Sequence, residues 1–262
     1  MKFALVNNKK KEATKGAKGI CPVCGSELIA KCGKIKINHW AHKKSSECDP
    51  WWENETEWHR TWKNNFPNEW QEILLPDEKT GEKHIADVRT KHGLVIEFQH
   101  SHIDSQERIS RENFYKNMVW IVDGTRLKRD YPRFVKGLKN NLRKTNKKGY
   151  FQVNFPEKCF PSAWLESLVP VIFDFLGMEL MDDPNDLRNK LYCLFPKQNK
   201  RKVTLAIFTR ESFINNVING NWFKKQQKQN AKPLVQNKIK KRRESTHYYD
   251  PKKGRLVRKW RF

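Results

Sequence analysis

Ile85-Ala-Asp87-Val88-Arg89, followed across the His92-Gly93 turn by Leu94-Val-Ile-Glu97-Phe-Gln99-His-Ser101, is the stretch whose reading decides the fold. Each run has the apolar character of a strand, and each carries one carboxylate. Side chains alternate across a strand with period two, so Asp87 and Arg89 face one way and Ala86 and Val88 the other. Glu97 and Gln99 likewise share a face, opposite Ile96 and Phe98. A charge inside so apolar a strand is costly to bury unless a cation or a proton compensates it. Carboxylate and amide oxygens are the ligands that Mg²⁺ or Mn²⁺ selects, and two neighbouring acids form a metal platform for phosphodiester hydrolysis. The same residues also fit a meander whose polar face meets solvent.

Working outward, aromatics at 51, 58, 62 and 66 have the spacing of one helical face, and Pro67 ends that helix. Strands are expected at 70–75, 84–89 and 94–99, with Asp77-Glu-Lys-Thr-Gly81 as a turn. A helix over 104–117, with Ser105 near its cap, and a buried strand at Met118-Val-Trp-Ile-Val122 follow. The order is helix, three strands, helix, strand. Four segments result: 1–50, a small module; 51–124, the core; 125–222, expected to be mostly helical; and 223–262, a basic tail.

The 262 residues hold 53 Lys and Arg against 29 Asp and Glu, a formal charge of +24. That excess suits a polyanion, with counterion release supplying much of the binding free energy. DNA is favoured over an acidic membrane surface, because neither a basic amphipathic helix nor an apolar run of spanning length is visible. No secretory signal is recognisable, so a cytoplasmic protein is expected. In the tail, Lys240, Lys241, Arg242 and Arg243 could grip phosphates, with Tyr248, Tyr249 and Trp260 interleaved for stacking. A solubilising extension is the plainer alternative.

Four of the six cysteines lie in the first fifth of the chain beside two histidines, which reads as metal binding in a reducing compartment. Cys21-X2-Cys24 and His39-X2-His42 are ligand arithmetic for tetrahedral Zn²⁺. Cys32 and Cys48 are alternatives without a partner at knuckle spacing. Four protein ligands leave no open position, so such a site is structural. Cys159 and Cys193 read as buried hydrophobes.

The acids and the element order resemble the PD-(D/E)XK nuclease superfamily, whose core is αβββαβ. More narrowly, Cys21-Pro-Val-Cys24, His39-Trp-Ala-His42, Glu55-Thr-Glu-Trp-His59 with Lys63, Ile85-Ala-Asp87-Val88 and Glu97-Phe-Gln99-His-Ser101 are similar to the competence protein CoiA-like family. Arg111 and Tyr115 match its following helix. The resemblance covers about residues 20 to 123 and implies a mixed α/β (α+β) fold: a nuclease core with a zinc-finger-like amino-terminal module and a mostly helical carboxy-terminal region. It implies a metal-dependent DNA nuclease, working with recombination or defence proteins. Asp87 and Glu97 would hold Mg²⁺ or Mn²⁺, Glu55 would add a ligand from the first helix, and His59 would move a proton. Glu53 and Glu57 contest Glu55 by position. Gln99 stands where lysine is commoner and could orient water but not neutralise charge. Lys63, Arg111 and Tyr115 would touch phosphate. Ile85 replaces a residue that is often basic, and with Gln99 it favours the alternative of a non-catalytic DNA-binding accessory factor on a nuclease scaffold. RNA as substrate is a further alternative.

Overall fold

Short β-forming runs separated by turn residues open the chain, and in the computed structural model they form a five-stranded antiparallel sheet. Its strands are β1 (Phe3–Val6), β2 (Lys9–Glu12), β3 (Lys18–Ile20), β4 (Glu27–Lys31) and β5 (His39–His42), in the order β2-β1-β3-β4-β5. Asn7 and Asn8, both at positive φ, make the two-residue turn between β1 and β2. Ala4, Leu28 and Trp40 are the centre of this module's small core. The structure describes residues 1–43, 48–51, 55–77, 81–196, 202–222, 247–250 and 255–258.

The remaining elements build a nine-stranded mixed sheet. They are α1 (Glu57–Lys63), β6 (Gln71–Pro76), β7 (Lys83–Arg89), β8 (Val95–Gln99), α2 (Ser105–Tyr115), β9 (Met118–Asp123), α3 (Asp130–Asn141), β10 (Leu142–Lys144), β11 (Tyr150–Asn154), α4 (Ser162–Leu165), β12 (Val171–Asp174), β13 (Lys190–Leu194), β14 (Lys202–Thr209) and α5 (Arg210–Ile218). The strand order is β10-β11-β14-β13-β12-β9-β8-β7-β6. β9 runs parallel to β8 and to β12, while the other pairings are antiparallel. Between Glu57 and Asp123 the order is helix, three strands, helix, strand, as the sequence predicts.

Alternation along the central strands decides the layers. Met118, Trp120 and Val122 of β9 face one apolar cluster with Phe134 and Leu138 of α3 and Trp164 of α4. Val119 and Ile121 face the other, with Trp58 and Trp62 of α1 and Phe213 and Val217 of α5. Helices therefore cover both faces of the sheet, and its central strands are apolar on both sides.

That double burial corrects the expectation of a mostly helical region at 125–222, which instead supplies β10 to β14, five of the nine strands. A strand buried on both faces loses its period-two signal and looks like a short buried helix. In β14, Val203 and Leu205 pack on one side of the sheet and Ala206 on the other. Residues Met1–Lys224 form one compact unit; 225–262 form a second, in which β15 (His247–Asp250) pairs antiparallel with β16 (Arg255–Arg258). Among the described residues, no helix is long and apolar enough to cross a membrane.

Candidate active site and cysteine–histidine centre

α1 begins at Glu57 because Thr56, in extended conformation, turns its hydroxyl to accept the His59 N–H at 3.3 Å. Glu55 therefore precedes the helix, which corrects the expectation that it lies on it. Trp58 and Trp62, four apart on the buried face, pack against Phe98 and both donate their indole N–H to Asp174 Oδ2, at 3.0 and 2.9 Å. Arg210 donates to the same oxygen at 2.7 Å. Asp174, at the end of β12, is fully buried, and these donors replace the water it has lost. Sequence reasoning missed Asp174 and Arg210. The available signal was an acid closing the apolar run Val171-Ile-Phe-Asp174.

His59 and Lys63, again four apart, reach β7 together. His59 Nε2 lies 2.9 Å from Asp87 Oδ1. Lys63 Nζ is buried among three carboxylates, at 2.7 Å from Glu72, 2.9 Å from Glu55 and 3.8 Å from Asp87. Lys63 is thus part of the acid cluster and not the exposed phosphate contact expected of it. Glu72, also missed, has φ +47°. Its carboxylate accepts the backbone N–H groups of Lys2 and Phe3 at 2.7 and 2.9 Å, fastening the amino-terminal module to the site.

β7 and β8 pair through Arg89↔Val95 and Val88↔Ile96. At the next step side chains take over from the ladder. The Asp87 N–H donates to Glu97 Oε1 and the Phe98 N–H to Asp87 Oδ2, both at 3.0 Å. Each acid accepts from the other's strand, which fixes the two carboxylates side by side, and Arg111 donates to Glu97 Oε2 at 3.3 Å.

The two acids have opposite proton affinities. Burial, and then the Asp87 charge, push Glu97 up to about 8. Burial pulls Asp87 the same way, but the charge and hydrogen bond of His59, followed by Lys63, outweigh it and hold Asp87 below the usual carboxylate range. Burial is likewise outweighed at Glu55, by Lys63 and then Arg60, and at Glu72, chiefly by Lys63. Adjacent acids pushed apart in this way mark a functional site more often than a structural one. A cavity of about 50 Å³ opens between Glu55, His59, Glu72, Asp87 and Glu97, room for more than one water-sized ligand.

Three further expectations change. Gln99 is buried, does not line that cavity, and donates from Nε2 to Ser101 Oγ at 3.2 Å. Arg111 is buried and spends its guanidinium on Glu97, Glu107 and the Trp51 carbonyl. Tyr115 is buried against Trp51 and Phe114. Arg111 lines the acid cavity with its guanidinium already shared among these acceptors, whereas Tyr115 does not line it. Lys240, Lys241, Arg242 and Arg243 lie outside the described residues.

In the amino-terminal module, Cys21, Cys24, His42 and Cys48 bring their ligand atoms within 4.8 Å of one another. Cys21 and Cys48 sulfurs are 3.5 Å apart, and Cys24 Sγ is 3.4 Å from His42 Nε2. Metal bonds of 2.0–2.3 Å imply ligand separations of roughly 3.4–3.8 Å around a tetrahedral zinc ion, so the donor set fits Zn²⁺. Hydrogen bonds from Ser26, then Cys48 and His42, outweigh burial and lower Cys24 to about 6, whereas burial and the neighbouring thiols raise Cys48. His39 is not in the cluster; Cys48 takes its place. His39 and His42 are three apart on β5, and an odd spacing on a strand sends side chains to opposite faces. His39 Nδ1 bonds the Ile37 carbonyl at 2.9 Å instead.

Residues 5–50 match a family described as the competence protein CoiA N-terminal domain, and residues 83–165 one described as the competence protein CoiA nuclease-like domain. The second match contains Asp87 and Glu97, and the class it defines is that of nuclease-like proteins. Both matches, and the relative below, support a resemblance to the CoiA-like family. Competence protein CoiA of Bacillus subtilis (strain 168) is 29% identical over 143 residues, 50% of this chain and 38% of that protein, so the match spans well under half of the relative's length. No solved structure matches.

Proposed function

We propose that the chain is a metal-dependent deoxyribonuclease on a PD-(D/E)XK core, working in the cytoplasm in competence, recombination or defence against foreign DNA. The observation that carries this reading is the crossed pair Asp87–Glu97, a half-buried and a buried acid locked together beside a histidine and a lysine at a small cavity. Asp87 and Glu97, with Glu55 or Glu72 near, are the all-oxygen donor set that Mg²⁺ or Mn²⁺ takes, and the proton Glu97 retains up to about 8 reflects burial and then the Asp87 charge, both of which a cation would offset. When bound, such an ion polarises the scissile phosphate and lowers the pKa of water. The chain's own groups do the rest. His59 Nε2 can pass a proton to or from Asp87 Oδ1, its partner at 2.9 Å, and Lys63 supplies the positive charge that Gln99 cannot. Zn²⁺ held by Cys21, Cys24, His42 and Cys48 would stabilise the amino-terminal module, which docks through Glu72. The formal charge of +24 and the family's nuclease-like domain support DNA as the partner.

The test is cleavage of labelled single-stranded DNA, duplex DNA and RNA by the purified chain with Mg²⁺, Mn²⁺ or Ca²⁺. DNA cutting with the first two is expected. A second reading, a DNA-binding factor on a nuclease scaffold, is favoured by the internal neutralisation of the acids by Lys63 and Arg111. Salt-sensitive binding without hydrolysis in any ion would establish it in place of the enzyme.

A further inference from the structure

A groove of about 300 Å³ adjoins the acid cavity and shares Met1 and Glu55 with it. One wall is the loop joining β4 to β5, represented by Ile35, Lys36 and Ile37, with His39 at the start of β5; the other is the start of α1, with Thr56 and Glu57. Arg60 donates to the Asn38 carbonyl at 3.2 Å, tying the base of that loop to α1. The loop tip is Lys34-Ile35-Lys36, and Ile35 is 97% exposed, with both lysines exposed beside it. A large aliphatic side chain wholly in water, between two cations and at the mouth of the acid cavity, has the chemistry of an apolar wedge carried on phosphate-binding lysines. Leu180 is a useful contrast. It is 93% exposed, but its loop carries Glu179, Asp182 and Asp183, which would repel a polyanion.

We propose that the β4–β5 loop is a finger that engages one unpaired nucleic-acid strand, Lys34 and Lys36 holding its phosphates while Ile35 packs against an unstacked base and feeds the strand along the groove to Asp87 and Glu97. This rests on the reading of that acid pair as the cutting centre, and it assigns the substrate class: single-stranded or splayed-end nucleic acid, DNA or RNA. The groove sits at the small end of the roughly 300–1,000 Å³ that ligand pockets occupy, a size for a nucleotide unit and not for a duplex. His39, released from the sulfur cluster, has a place here. Its Nδ1 is committed to the Ile37 carbonyl, and the ring lines the groove opposite Glu57.

The test uses the full zinc-loaded chain without added Mg²⁺, titrating labelled single-stranded, splayed-end and duplex oligonucleotides, as DNA and as RNA, over a range of salt. Ile35→Ala should weaken binding to unpaired strands about tenfold and to duplex less than about twofold, with an unchanged salt slope. Ile35→Leu should restore it. Lys34→Gln with Lys36→Gln should lower the log–log salt slope on single strands by about 1.4, two contacts at about 0.7 each. These residues are exposed, so unchanged thermal melting is expected and verifies the fold. Variants that titrate like the parent on every substrate, or a parent that binds no nucleic acid, would overturn the finger. Because these titrations involve no hydrolysis, a chain that binds through the finger but never cuts removes only the nuclease reading. One that cuts at Asp87 and Glu97 with finger variants unchanged removes only this one.

Discussion

The cysteine–histidine cluster and the carboxylate cluster both gather metal-type ligands, yet they balance charge in different ways. Around the acids the protein supplies its own cations: Lys63 meets Glu55, Glu72 and Asp87, and Arg111 meets Glu97. The sulfurs instead have short contacts with one another and with His42. A soft, closed set of this kind gives its metal a structural part, since metal binding there is folding energy. An acid set already neutralised from within needs no ion to keep its charges balanced. The lesson is that convergence of ligands identifies a metal site, and the neighbouring charges indicate whether it holds the fold or acts.

The largest expected difference is in metal dependence. Cys48→Ala should remove tightly bound zinc and unfold the amino-terminal module, since structural zinc contributes about 10–16 kcal/mol in finger peptides. His39→Ala should leave zinc at the parental level. Zinc content and circular dichroism of the two variants check this, and zinc loss in His39→Ala would restore the sequence-based ligand set. Next come Asp87→Asn and Glu97→Gln. Each should lower metal-dependent cleavage by at least about 100-fold in single-turnover assays while DNA affinity stays within about twofold. Asp174→Ala, which leaves two buried indole N–H groups and Arg210 without their acceptor, should cost roughly 2–4 kcal/mol in urea unfolding.

The smallest effect is on pH. Glu97 has its folded pKa raised from 4.5 to about 8, so it favours the fold fully below pH 4.5 and that contribution fades as pH rises towards about 8. Glu55, Glu72 and Asp87 have lowered values, so their contribution is present above their ordinary pKa and is lost as acid protonates them. Melting curves without divalent ions should therefore show the parent losing stability relative to Glu97→Gln between about pH 5 and 8. Adding Mn²⁺ should expel the Glu97 proton and cancel that loss. A pH-independent difference would sever the link between Glu97 and the metal.

The helix–strand–strand–strand–helix–strand order was legible because β7 and β8 each place an acid in an apolar run and α1 and α2 carry helical spacing. Asp87, Glu97 and His59 come together as their positions in those elements require. Glu72 and Lys63 were less legible, since their meeting depends on how β6 approaches α1, a long-range fact with no local pattern. Asp174 lies 112 residues beyond Trp62, in a strand whose burial on both faces hides its period. Cys48 stood only as an alternative in the zinc arithmetic because spacing rules assume a knuckle or a helix, and His39-X2-His42 is on a strand.

The most direct test of the cutting centre is anomalous diffraction from crystals grown with Mn²⁺. A manganese peak bridging Asp87 and Glu97, absent from Glu97→Gln crystals, is the predicted result. Manganese bound elsewhere, with Arg111 and Lys63 still holding both acids, would contradict the account.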